Sequence, residues 1–217
     1  MYLLAPTTLR VALNELPSRV SARFAGELRR AGSFAQLSLL GAQACLDIAG
    51  DEGPLGVLYS SRIGAQRAVR AALGDDLRRG EPAMPFTFIG MQPHLAGALL
   101  AQRSLPVVRC AHLHLAADAW PWLLRVAQGW LADCSRVLVG CVEESDDDGI
   151  AHRTDWCLLQ DGAGAGSIRF EPAGDESATA AASMADWIPR ICSWHAAPLA
   201  PLALRGAGET WRFSVAE

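Results

Sequence analysis

Lysine is absent from this 217-residue chain; all 19 basic side chains are arginine. That excludes a Schiff-base lysine and a lysine general base, roles that need an ammonium able to lose its proton. No apolar run approaches the roughly 20 residues of a membrane-spanning helix. The opening Met1–Pro6 has no basic leader of signal-peptide form, so a cytoplasmic protein is expected. The six cysteines, at 45, 110, 134, 141, 157 and 192, include no CxxC pair. Reduced, mostly buried thiols are therefore expected rather than a disulfide frame. A dense basic patch with aromatics is missing too, and at a formal net charge of −4 nucleic-acid binding is disfavoured.

What is present suits one α/β domain spanning 1–217, with 51% of residues apolar. Charge is uneven. Residues 1–110 carry 12 arginines against 8 acids, and residues 111–217 carry 7 against 15. A first half at +4 suits an acidic partner such as a carrier protein.

Hydrophobic periodicity predicts a helix from Ser33, capped by that serine, with Phe34, Leu37, Leu40, Ala44, Cys45 and Ile48 on its apolar stripe. Leu55–Tyr59 reads as a buried strand stopped by Ser60 and Ser61. A second helix places Ile63, Val69, Leu73 and Leu77 inward. Residues 83–93 read as an irregular apolar loop, with Phe86 and Phe88 covered by the core or by a second subunit. In a short helix over 94–102, Ala96, Gly97 and Ala98 offer a small face to another backbone. A strand over 105–110, a helix from Asp118 to about Asp133 and a strand over 136–142 read as a βαβ crossover, hence a mostly parallel sheet flanked by helices. Residues 156–160 and 167–171 flank a glycine-rich turn and read as a hairpin. A helix over 177–193 and a strand over 210–215 close the chain.

Few residues carry candidate chemistry. Cys110, His112 and His114 alternate, so an extended strand sets them on one side. That pattern permits an acyl-accepting thiol with a histidine beside it, or three metal ligands, or plain neighbours. No fourth ligand stands nearby, and neither metal nor cofactor is expected. Ser60 and Ser61 lack a GxSxG context. Gly162–Gly166 lacks the Lys-Ser/Thr of a phosphate loop. Asp146–Asp148 lacks a calcium-loop pattern. Trp120 and Trp122 sit about 200° apart on a helix, so one ring faces away from the core, as at an interface.

Several segments carry a family resemblance: Ala44–Gly50 (ACLDIAG), Gly56–Gly64 (GVLYSSRIG), Gly80-Glu81-Pro82, Pro93–Gly97 (PHLAG) and Val137–Glu143 (VLVGCVE). In this order and spacing, from about Phe34 to Glu144, the chain resembles the N-terminal half of a thiolase-fold β-ketoacyl synthase. It is most similar to short ketosynthase-like chain-length factors of aryl-polyene and pigment clusters. The resemblance implies a single half of a thiolase-like fold, a subunit that is not catalytic alone. It would pair, as a dimer, with an active ketosynthase served by an acyl carrier protein in fatty-acid or polyketide-type synthesis. The small residues that surround a ketosynthase nucleophile are missing here, and the family's proton-handling histidines come from a second half. Phe86, Phe88, His94, Gly97 and Trp122 are the candidate interface residues. The alternative is a compact cysteine-dependent acyltransferase acting on acyl thioesters through Cys110 with His112 or His114.

Overall fold

The structure is a computed structural model that describes residues 1–24, 28, 31–50, 53–80, 85–103, 106–115, 119–145, 151–164, 166–173 and 186–216. Strand β1 (Tyr2–Val11) and helix α1 (Leu16–Phe24) lead into α2 (Ser33–Ala49) and β2 (Leu55–Ser61). Three helices follow, α3 (Gln66–Arg79), α4 (Pro85–Gly90) and α5 (Leu95–Gln102), then β3 (Val107–His114), α6 (Ala119–Trp130) and β4 (Arg136–Glu143). The chain closes through β5 (His152–Gln160), β6 (Ile168–Ala173), α7 (Trp187–Ala196), β7 (Leu202–Gly206) and β8 (Glu209–Val215).

These strands form one mixed sheet in the order β3-β2-β4-β5-β1-β6-β8-β7. The mixed sheet with flanking helices agrees with the sequence, but its balance does not. Among the described residues only β2–β3 and β2–β4 pair in parallel, while the other five pairings are antiparallel. The crossover from β3 through α6 to β4 exists, yet it skips a position, because β2 lies between the two strands. Residues 156–160 and 167–171 do not pair as a hairpin either, since β1 inserts between β5 and β6. The glycine-rich connector is long enough to step over one strand, a span of about 10 Å.

The sheet buries both faces. Against α1, α2 and α5 lie Val57, Tyr59, Leu138, Val142, Trp156 and Leu158, packed on Phe24, Phe34, Leu37 and Cys45. Against α6 and α7 lie Leu58, Val137, Val139, Cys157 and Leu159, packed on Trp120, Leu123, Leu124, Trp187 and Ile191. β2 and β4 are covered on both sides, which explains their unbroken apolar runs. Ser60 and Ser61 do not stop β2; both are buried within it. Trp156 sits across from Gly140 in the β4–β5 ladder. A Cβ on Gly140 would stand 2.4 Å from its ring, so only glycine lets the indole lie flat there.

Three helix assignments change. Gly32, not Ser33, is the cap residue of α2; the Ser33 hydroxyl instead donates to Glu144. Leu77 is 82% exposed and Leu73 is also exposed, because α3 packs on α4 rather than on the sheet. The apolar loop at 83–93 contains α4. Asp118, Asp146–Asp148 and most of the 177–193 helix fall outside the described residues.

Candidate functional site

Among the described residues β3 is the last strand on one side of the sheet, and no described strand pairs with its outer edge. Its register against β2 runs Leu55↔Val107 and then Gly56↔Arg109, which leaves Val108 as an extra, bulged residue, 59% exposed. The bulge reverses the alternation. Val107 packs toward α2 and α5, whereas Ala111 and Leu113, of the same parity, pack toward α6. Cys110, His112 and His114 therefore face the α5 side together. Strand geometry continues to His114, so Cys110 is a mid-strand residue and not the helix-entry position read from the sequence.

His112 is held by its neighbours. Its Nε2 lies 2.8 Å from Ser61 Oγ, and the Gly64 backbone N–H donates to the same oxygen at 2.9 Å. Rings surround it: Tyr59 at 5.1 Å, Phe34 at 5.8 Å and His114 at 4.8 Å between centroids. The Tyr59 hydroxyl donates to the Pro93 carbonyl at 2.6 Å, tying the segment that carries His94 over this cluster. Burial first, then His114 and His94, lower the His112 pKa to about 4. A neutral imidazole has one N–H and one bare nitrogen, so the tautomer sets which partner donates in the Ser61–His112 contact. Nearby, at the end of β4, the Arg62 N–H donates to Glu143 at 2.8 Å, and burial pushes Glu143 upward.

Cys110 belongs to an exposed stretch of the edge strand, but its sulfur turns inward against α5. A Cβ on Gly97 would stand only 2.0 Å from that sulfur. Burial pushes the thiol up to about 11, so only about one molecule in ten thousand carries a thiolate at neutral pH. Among the described residues no histidine hydrogen-bonds to it, because His112 is engaged by Ser61. The alternating pattern thus gathers neither a cysteine–histidine nucleophile nor a ligand set; no group of three or more His, Cys, Asp or Glu among the described residues is placed to hold a metal.

The interface candidates separate. Trp120 is buried and Trp122 is 60% exposed, as the helical geometry requires. Phe88 (57%) and His94 are also on the surface. Gly97 is buried inside the chain by Cys110. Phe86 lies in α4, with its side chain outside the described residues. Sequence reasoning missed the Ser61–His112 pair; the available signal was a serine at the end of a strand whose parallel neighbour ends in histidines. It also missed Val108, for which no local signal exists.

No protein-family model matches the chain, and no curated protein does. Among solved structures, a ketosynthase in complex with its chain length factor from Xenorhabdus doucetiae matches with a TM-score of 0.63 at 16% identity, covering 99% of both chains. The fold is that of the ketosynthases. The ishigamide ketosynthase/chain length factor matches with a TM-score of 0.52 at 14% identity, over 72% of this chain and 54% of that one. A β-ketoacyl synthase from Burkholderia phymatum gives 0.52 at 15% identity, over 83% and 66%. The chain thus spans little more than half of one of these ketosynthase-fold chains and just under two thirds of the other. On this fold, the order of elements recognised between Phe34 and Glu144 is the order observed.

Proposed function

We propose that this protein is a chain-length-factor-like subunit, pairing through the unpaired edge of β3 with an active β-ketoacyl synthase in the cytoplasm. The pair would extend a polyketide- or fatty-acid-type chain, of the aryl polyene or pigment kind, delivered by an acyl carrier protein. The observation that carries this reading is the free edge. It leaves backbone N–H and C=O groups open to a further strand, on a strand that also exposes Val108. Among the described residues no base hydrogen-bonds to the thiol on that edge, and burial pushes that thiol up to about 11, which suits a partner better than an enzyme. The ketosynthase fold, shared over its whole length with a structure of a ketosynthase complexed with its chain length factor, supports the same reading.

Co-expression with any ketosynthase encoded beside it, followed by size-exclusion chromatography with light scattering, tests this. A stable complex is expected, lost in Val108→Asp and in Trp122→Asp while circular dichroism stays unchanged. A protein that remains monomeric and ignores the ketosynthase would refute the reading. A covalent acyl adduct on Cys110 after incubation with an acyl thioester, absent in Cys110→Ala, would replace it with the acyltransferase.

A further inference from the structure

A separate feature lies at the end of the sheet where β2 begins, away from Ser61. A cavity of about 570 Å³ opens between the last turn of α2 and the last turn of α7, with β1 as its floor. The cause is a break in β1. Pro6 has no N–H to give, and the ladder to β5 lapses after Leu4 and resumes at Thr7. Ala5 takes φ 47°, a left-handed conformation uncommon for a residue with a Cβ. A thiol takes each of the two freed carbonyls. Cys45 on α2 donates to Ala5 at 3.3 Å, and Cys192 on α7 donates to Pro6 at 3.2 Å. Two helices from opposite faces of the sheet thus grip adjacent residues of one bulge, and the space between their ends stays open.

The lining is mostly aliphatic, with two polar side chains on one side. Leu4, Ala5, Pro6 and Ile48 make an aliphatic wall, and Cys192 and His195 project from one side of α7. Ile48 was expected on the inward stripe of α2, yet it is 70% exposed, at the cavity wall. Among the described residues that line it none is acidic, and His195 is the side chain there that can offer a full N–H donor to an anion.

We propose that this cavity binds a small amphiphile, a medium-length aliphatic chain ending in a carboxylate. The chain lies along Leu4, Ala5 and Ile48, and the carboxylate accepts a hydrogen bond from His195. The volume falls within the roughly 300–1,000 Å³ of small-molecule sites, whose usual make-up is an apolar wall with few polar groups. This goes beyond the partner role proposed above, and its test does not involve a ketosynthase, so the two readings fail separately.

Sodium decanoate titrated into the full chain by calorimetry, with decanol as the uncharged control, tests the site. Iodoacetamide labelling of Cys192, followed by mass spectrometry, locates it. Saturable one-site binding of decanoate is expected, with Cys192 labelling slowed about tenfold at saturation. His195→Gln should weaken decanoate about tenfold and leave decanol unchanged. Ala196→Trp, or Ile48→Asp if the first variant does not fold, should abolish binding of both. Absence of saturable binding overturns the proposal. So does binding that leaves Cys192 labelling unchanged, or equal affinity for decanoate and decanol in the unmodified chain.

Discussion

Acid should loosen this protein through His112. The folded state holds the imidazole neutral, with a pKa lowered from 6.5 to about 4 by burial and by His114 and His94. Stability from this group is therefore full above the unfolded value and is lost as the pH falls from 6.5 toward 4. Between pH 7 and pH 5 a fully buried imidazole with these values would lose about 2 kcal/mol. His112 is only partly buried, and solvent screening brings the expected loss to about 1 kcal/mol. The groups facing it are Tyr59 and Ser61 from β2, Phe34 from α2, His114 from its own strand and His94 ahead of α5. Glu143 and Asp155, both raised by burial, act in the opposite sense and gain as the pH falls. The informative quantity is thus a difference: urea unfolding of the unmodified chain and of His112→Gln at pH 7 and pH 5. His112→Gln should lose about 1 kcal/mol less over that interval. Parallel losses in the two proteins would refute the account of His112 as a neutral, enclosed imidazole.

Three further outcomes follow from close contacts and from the edge thiol. Gly97→Ala should cost about 1–3 kcal/mol in urea unfolding, and Cys110→Ala in the same chain should restore most of it, because the new methyl would meet the sulfur at 2.0 Å but the Cys110 Cβ only at 3.2 Å. Gly140→Ala should destabilise by about 3 kcal/mol, since the Trp156 ring is 2.4 Å from the added carbon and has no exposed side to move toward; a change in melting temperature under 2 °C would count against this packing. Alkylation of Cys110, followed by peptide mass spectrometry, should quicken about tenfold per pH step from 8 to 10 without levelling, as a thiol pushed up to about 11 requires.

The sequence displayed what depends on near neighbours. The stripe of α2, the buried run of β2, and the opposed rings of Trp120 and Trp122 were readable because 3.6-residue and 2-residue periods are local properties. The ketosynthase order between Phe34 and Glu144 was readable because several weak segments keep their spacing. What stayed hidden is long-range. Nothing near Trp156 or Ile168 announces that β1, over 140 residues earlier, will slide between their strands. Leu73 and Leu77 keep inward spacing, yet their helix leans on α4 and leaves them in solvent. The candidate site shows both sides. The alternation of Cys110, His112 and His114 was visible, whereas the partner chosen by His112 proved to be Ser61, 51 residues upstream.

The extra residue in β3 makes the identity of the outermost strand depend on length rather than on composition. Deleting Val108 would remove little buried surface and leave the segments before and after it on their present sides, because Val107 and Arg109 already pair with the consecutive residues Leu55 and Gly56. Arg109, Ala111 and Leu113 keep their β2 partners and their side with or without that insertion. A lineage could therefore add or withdraw one exposed apolar side chain on this outermost strand by gaining or losing one codon, with every other side chain unaltered.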